Sequence, residues 1–366
     1  MRIALVAPGG VDRSGERRII PVLIALIERL AASHEVRVFS LTQEREPGAW
    51  SLAGAEVHNI GTHRTRPRAV RTLMRVYGAT PPDVIQSIWS GPGGQVAIVA
   101  AMLLRRPSLI HVAGGELAAV PEIAYGSALS LKGRLRERFV LKSATAVSAA
   151  SQPIIDSIAR LGIRASRIPL GVDARRWPPR APVPRASDRP ARLIHVASLN
   201  AVKDQTTLLQ AAASLRRAGV AFELDIVGED TLGGAIQDLA RRLDLTAHVR
   251  FHGFLEQSKL RPLVEAADLM LITSRHETGP VALLEAAMAG VPTVGTTVGH
   301  IAEWAPGAAV AVPVGDPQSL ALRVRDLLSN EGLRLKIAAA AHARARADDA
   351  DNTARLFETL YRQVCR

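Results

Sequence analysis

Short apolar runs recur along the chain between stretches whose apolar positions repeat with helical spacing. In the first half "RIALVAP", "EVRVFSL", "DVIQSIW", "SLIHVAG" and "ATAVSA" read as strands; in the second, "RLIHVAS", "FELDIVG", "VRFHGF", "DLMLIT" and "PTVGT" do. Short β-branched and aliphatic runs separated by amphipathic helices are what the strands of a buried parallel sheet show. The pattern therefore predicts α/β architecture: parallel sheets with right-handed helical crossovers, one sheet per half, giving two Rossmann-like domains.

Between the halves, "RRWPPRAPVPRASDRPAR" holds five prolines in the thirteen residues after Trp177, which excludes helix and favours extended chain. This predicts domains over 1–178 and 179–345. The last stretch, 346–366, opens with Asp residues and places Leu356, Leu360 and Val364 at i, i+4 and i+8, as a helix packing back on the body would. Ligands of open α/β sheets bind beyond the carboxyl ends of the strands, so two such domains are expected to face an interdomain cleft.

At 366 residues the chain exceeds the usual single-domain size of roughly 100–200 residues, in keeping with two cores. The single cysteine, Cys365, rules out an intrachain disulfide framework or a multi-cysteine zinc site, and fits a reducing compartment. The opening "MRIALVAPGG" reads as a first strand rather than a signal peptide, and "IIPVLIALIERL" is too short to span a bilayer. A cytoplasmic location is expected.

The net charge of +12 is one-sided: residues 1–180 carry 25 Lys and Arg against 13 Asp and Glu, and the second half is balanced. One cluster runs through Arg64, Arg66, Arg68, Arg71 and Arg75. The other is Lys132, Arg134, Arg136, Arg138 and Lys142 in "LKGRLRERFVLK", where basic and apolar residues alternate. Such a surface is either a solvated arginine face or a peripheral contact with an anionic membrane at its inner face, or with a phosphorylated acceptor. Nucleic acid is not expected as a partner, since aromatics are 4% of the chain and no base-reading motif accompanies the charge.

The densest chemistry lies in "DLMLITSRHETGPVALLEAAMAGVPTVGT". A buried strand ends near Thr273 and Ser274, a loop carries Glu277 and Gly279, and a helix begins near Val281 with Glu285 one turn inside. The free amides of that helix start suit a diphosphate, and the two carboxylates, eight positions apart, suit sugar or ribose hydroxyls.

Here the sequence resembles the family 4 retaining glycosyltransferases of the GT-B fold, which carry Glu, seven residues, Glu before text like "EAAMAGVP". "IPLGVDARRW", "VASLNAVKDQTTLL", "LDIVGED", "VRFHGF" and "AADLMLITS" are similar to further family segments and follow in family order. The resemblance implies a nucleotide-sugar donor and a glycan, lipid-linked or small-molecule acceptor, with no cofactor and no metal required. It implies that Lys203 contacts the donor diphosphate, Glu277 holds donor-sugar hydroxyls and Glu285 holds the ribose. Donor contacts are likewise implied at Ser198, Gly279, Pro280 and Val281, and at Gly9 and Gly10 of the first loop. Arg13 and His111 are candidate contacts for sugar or acceptor.

The chain departs from the family pattern at three places. Ala197 and Ser198 stand where the family has Gly-Arg, Ala113 and Gly114 where it often has His-Gly, and Pro280 where it has Gly. For the missing arginine, Arg275, His276 and Arg13 are the candidates. Two other readings stay open: a nucleotide-sugar epimerase of the same architecture, and a non-catalytic nucleotide-sugar-binding protein. A dinucleotide dehydrogenase fits less well, because "GED" lacks the G-x-G-x-x-G spacing.

Overall fold

The first strand, β1 (Arg2–Ala7), is buried from Ile3 to Ala7, which is why its sequence shows no polar alternation. In the computed structural model, which describes residues 1–186 and 188–365, β1 lies inside an eight-stranded sheet. The other strands are β2 (Glu35–Ser40), β3 (Gly48–Leu52), β4 (Ala55–Asn59), β5 (Val84–Ile88), β6 (Ser108–Val112), β7 (Ala146–Ala149) and β8 (Ser166–Arg167). Their order is β3-β4-β2-β1-β5-β6-β7-β8, parallel except for the β3–β4 hairpin. Ile3 pairs with Val36 on one side and Val84 on the other, so the order reverses direction at β1.

Helices α1 (Pro21–Ala31), α2 (Thr65–Tyr77), α3 (Pro92–Leu104), α4 (Leu131–Ser143) and α5 (Gln152–Ala159) connect these strands. Helix α3 packs between α2 and α4. Its buried Val96, Ala97 and Ala100 meet Ile85, Ile110 and Val140 in one core.

The second unit spans Ala174–Asp348. Strands β9 (Ala191–Val196), β10 (Phe222–Val227), β11 (Val249–Gly253), β12 (Leu269–Ile272), β13 (Thr293–Thr296) and β14 (Val310–Val312) form a parallel sheet in the order β11-β10-β9-β12-β13-β14. Its helices are α6 (Gln205–Arg217), α7 (Ala235–Arg242), α8 (Gln257–Glu265), α9 (Val281–Met288), α10 (Gly299–Trp304), α11 (Pro317–Ser329) and α12 (Glu331–Ala347). The order reverses between β9 and β12, so the loops leaving these neighbouring strands flank a crevice at their carboxyl ends.

Among its described residues the proline-rich stretch holds no helix or strand before β9 and is anchored on the second unit. Trp177 is buried and donates from Nε1 to Gln257 Oε1 at 2.5 Å, Arg180 N bonds Met288 O at 2.8 Å, and Arg189 forks onto Asp268 at 2.8 and 3.0 Å. The division thus falls between Asp173 and Ala174, five residues before the sequence boundary.

The final helix, α13 (Ala350–Val364), belongs to the first unit and packs on α1. Its buried face is Thr353, Ala354, Phe357, Leu360 and Tyr361. Leu356 and Val364, expected on that face, are only half-buried: the aromatic rings set the rotation of the helix, one residue beyond the aliphatic pattern. Tyr361 bonds Gln86, and Arg29 of α1 ties the helix down through Asp351 while also pairing with Asp173 at 2.9 Å. Among the described residues no helix is long and apolar enough to cross a membrane.

Candidate functional site

In the second unit the chain leaves β9 through Ala197 and Ser198 and turns back at Asn200, whose side-chain oxygen accepts from the amides of Val202 (3.0 Å) and Lys203 (3.1 Å). Asp204 then caps α6, accepting from Thr207 N at 3.2 Å and Thr207 Oγ1 at 2.8 Å, in a left-handed conformation (φ 50°) that Asp tolerates through such local bonds. The turn therefore fixes where the Lys203 side chain starts.

The loop after β12 is stitched to this turn. Thr273 Oγ1 donates to Lys203 O at 2.8 Å, and Arg275 N donates to Val202 O at 2.7 Å. These bonds bring together the two side chains the sequence singles out: Lys203 Nζ lies 2.5 Å from Glu277 Oε1. The same carboxylate oxygen accepts from Ser274 Oγ at 2.6 Å. Both side chains keep some exposure, 27% for Lys203 and 13% for Glu277, so the pair borders solvent.

Arg275 settles beside the pair, its Nε 3.1 Å from Asp204 Oδ2. Of the three candidates for the missing cation it is the one bonded to the residue next to Lys203. His276 is half-buried in the same loop. Arg13 belongs to the first unit, where it forks onto Glu44 at 3.0 and 2.8 Å and lies over Trp50.

Helix α9 opens at Pro280 with no side-chain cap. Leu283 N closes on Pro280 O at 3.2 Å, and the amides of Val281 and Ala282 have no carbonyl behind them within the helix. Gly279 and Val281 are half-buried, and Ser198 is exposed on the β9 side. Glu285 is 4% exposed and accepts from Gln257 Nε2 at 3.1 Å, which makes Trp177, Gln257 and Glu285 a single hydrogen-bonded chain. Burial pushes its carboxyl up to about 7.

In the first unit two of the candidate residues have partners within their own unit. The amide of Gly10, expected to face phosphate, donates to Gln43 Oε1 at 2.7 Å, and Val11 N shares that acceptor at 3.0 Å. Gly10 is required here for another reason: it is left-handed (φ 80°), and a Cβ would sit 2.5 Å from Ile20. Gly9 is half-buried beside the same Gln43. His111, a candidate contact for sugar, is wholly enclosed: Nδ1 meets Ser148 Oγ at 3.0 Å and the ring edge meets Phe357. Burial lowers its pKa to about 3, so it is a neutral core residue.

Sequence reasoning missed the support beneath Lys203. His195 is buried in β9 with Nδ1 2.9 Å from Leu271 O, so Nδ1 carries the proton and Nε2 accepts from Gln205 Nε2 at 3.1 Å. Gln205 also donates to Ser198 O at 3.1 Å and accepts from Asn200 N at 3.3 Å, tying the turn to the sheet. The histidine in "RLIHVAS" was the available signal, since a polar residue that follows two buried aliphatics in a central strand needs a partner. Among the described residues no three His, Cys, Asp or Glu side chains are grouped to hold a metal ion.

Residues 181–344 match the model described as glycosyl transferases group 1, and residues 21–171 match the glycosyl transferase 4-like domain. A glycogen synthase of Mycobacterium tuberculosis is 33% identical over 180 residues, 49% of this chain and 43% of that one, so the match spans less than half of that relative. The sucrose-phosphate synthase of Thermosynechococcus elongatus shares the fold with a TM-score of 0.84 at 18% identity over 99% of both chains. Anabaena HepE, solved in complex with UDP, has a TM-score of 0.74 at 19% identity over 98% of this chain and 99% of that one. These matches do not favour the epimerase or sensor alternatives. With a family model on each unit and the paired sheets of its structural neighbours, the chain belongs to the family 4 glycosyltransferases of the GT-B fold.

Proposed function

We propose that the protein is a retaining glycosyltransferase that moves a sugar from a nucleoside-diphosphate donor to a hydroxyl of a glycan, lipid-linked or small-molecule acceptor. The observation that carries this reading is the contact of Lys203 Nζ with Glu277 Oε1, in loops leaving the two strands at which the sheet order reverses. A cation that neutralises a leaving diphosphate and a carboxylate that holds sugar hydroxyls are needed side by side where the sugar–phosphate bond breaks. Anabaena HepE, similar in fold, is known in complex with UDP and UDP-glucose, which favours a nucleotide-sugar donor here.

On this reading the bond from the anomeric carbon to the phosphate oxygen breaks with its electron pair going to the oxygen. The acceptor oxygen then bonds the oxocarbenium-like carbon on the same face, and its proton passes to the departing phosphate oxygen. Lys203, Arg275 and the Val281 and Ala282 amides offset the charge on the diphosphate. Glu277 orients the donor sugar, and Glu285 accepts from a ribose hydroxyl. Gly279 and Pro280 shape the approach to the amides, and Ser198 borders the phosphate. The protein supplies orientation and electrostatics rather than a nucleophile.

The test is a thermal-shift screen against UDP-, GDP- and ADP-sugars, followed by an assay of nucleotide release with and without acceptor mixtures. One donor raises the melting temperature, and acceptor-dependent release accompanies it. Donor binding without turnover on any acceptor pool would instead support a sugar-nucleotide sensor.

A further inference from the structure

The first unit carries an apolar face that its own fold leaves uncovered. On α4 the inner residues Gly133, Glu137, Val140 and Leu141 are buried, while Leu131, Leu135 and Phe139, at i, i+4 and i+8, stand 65%, 59% and 50% exposed. The neighbouring α3 adds Val99, Met102 and Leu103, at 40%, 57% and 58%. Scattered single leucines are ordinary on a protein surface, but six large apolar side chains on two adjacent helices are not.

The exposed charges on α3, on the two residues that follow it and on α4 have one sign. Arg105 and Arg106 follow α3, and Lys132, Arg134, Arg138 and Lys142 flank the apolar stripe of α4; all six are exposed. No Asp or Glu lies between Asp83 and Glu116. The one acid of α4, Glu137, is buried and engaged by Arg136 Nη2 at 2.8 Å and Ser90 Oγ at 2.7 Å. Helix α2, on the other side of α3, likewise has no acid and exposes Arg66, Arg71 and Arg75. At the carboxyl ends of α3 and α4, Arg105 and Arg106 face Ser143 and Thr145 across an open cleft of about 350 Å³, space enough for a phosphate-bearing headgroup.

We infer that the α3–α4 face is a docking surface for an anionic phospholipid bilayer, on which Leu131, Leu135 and Phe139 enter the interface while the flanking lysines and arginines engage lipid phosphates. A 13-residue helix is about 20 Å long, too short to cross the roughly 30 Å hydrocarbon layer, but suited to lie in its plane. Apolar side chains between cations separate this surface from one that merely attracts polyanions: phosphate alone gives no reason to expose Phe139, whereas a headgroup boundary takes both. The inference stands apart from the sugar-transfer reading, because docking needs no donor.

The test is cosedimentation of the full chain with vesicles of phosphatidylcholine, with and without phosphatidylglycerol. Wild type is expected on the anionic vesicles only. Leu135→Glu with Phe139→Glu lowers partitioning at least tenfold, and Arg134→Gln and Arg138→Gln each lower it ~5-fold. Leu322→Glu with Leu333→Glu, at exposed leucines of the second unit, leaves it unchanged. Matching melting temperatures show that the variants are folded. Three results would overturn the inference: no phosphatidylglycerol-dependent binding by wild type; binding that survives the double glutamate variant and is competed by heparin, which marks a general polyanion surface; or a dimer in solution that the same variant dissociates, which marks self-association.

Discussion

Lys203 Nζ and Glu277 Oε1 form an ion pair at 2.5 Å, although 74 residues separate them in the chain. A donor diphosphate would have to take over Lys203 from Glu277, freeing the carboxylate for the sugar at the same step. Lys203→Ala and Glu277→Ala are each expected to reduce kcat/KM by about 10²–10³-fold, the range for losing one preorganised electrostatic partner. The double variant should fall no further than the product of the two, and short of it if they act as a unit. Steady-state kinetics with unchanged melting temperatures checks this, and full activity in either single variant would remove the assigned roles.

Arg275 is expected to act as the second phosphate cation in place of the arginine that Ser198 displaces. Charge-assisted hydrogen bonds contribute about 1.5–3 kcal/mol, so Arg275→Ala should weaken nucleotide binding by about 10–100-fold. Asp204→Asn, which removes the charge that holds Arg275, should weaken it less. Calorimetric titration with the nucleotide that stabilises wild type compares the two. Equal affinity in Arg275→Ala and wild type would leave Lys203 as the sole cation.

Glu285 gives a pH dependence with a definite sign. Its carboxyl is pushed up to about 7 in the fold, against 4.5 for an ordinary Glu, so between these values the folded state holds a proton that the unfolded chain has lost. Stability therefore falls as pH rises through this window, and the loss is complete above about 7. Glu285→Gln removes the penalty and should be more stable than wild type at pH 8, by up to about 3 kcal/mol, and equal to it at pH 4. Nucleotide binding should show the reverse trend, since the ionised carboxylate accepts ribose hydroxyls best. Melting curves and UDP titrations from pH 5 to 8 read both, and a pH-independent difference between variant and wild type would dismiss the buried proton.

What was legible in the sequence was whatever depends on burial. All ten apolar runs become strands; β1, β5 and β6 are covered on both faces, whereas β2, β10 and β11 keep exposed or half-buried polar positions at Glu35, Glu223 and Arg250 and are found through their remaining apolar residues. The β3–β4 hairpin escaped notice: β3 pairs only with β4, and its alternating exposure around Trp50 leaves no apolar run. Its signal lay in Ala53 and Gly54, both at positive φ in a two-residue turn. The Lys203 and Glu277 positions were found through motif text, whereas their supports were not: Gln205, Asn200 and Ser274 act by single hydrogen bonds whose partners lie in other segments. His111, a chemically capable residue, is buried at its strand position, which the residue type alone does not reveal.

The α13 helix should be indispensable to the first unit. Phe357 is fully buried against His111 and Tyr361, and Phe357→Ala should cost about 3–5 kcal/mol, the range for truncating a buried aromatic. Tyr361→Phe leaves Gln86 Oε1 buried without its donor, for about 1–3 kcal/mol. Thermal unfolding with nucleotide added should show the first unit melting earlier in both variants while the second keeps its transition. Loss of the nucleotide-stabilised transition instead would mean that α13 supports the other unit.

Gly299 tests whether the position of Glu277, rather than its mere presence, matters. It sits at the start of α10 with φ 49°, and a Cβ there would lie 2.8 Å from Thr278 O and 3.0 Å from Glu277 O. Those are backbone atoms that cannot swing aside, so Gly299→Ala must push the Glu277–Thr278 segment away while leaving every proposed substrate contact chemically intact. An ångström of displacement at a reacting centre can cost about 10²-fold in rate. The variant should therefore lose kcat by 10- to 100-fold with a smaller change in nucleotide affinity, because Lys203 and Glu285 are anchored by other bonds, to Asn200 and Gln257. If affinity and kcat fall together, the loop acts in ground-state binding; if neither changes, Glu277 does not need its observed place and the electrostatic role assigned to it fails.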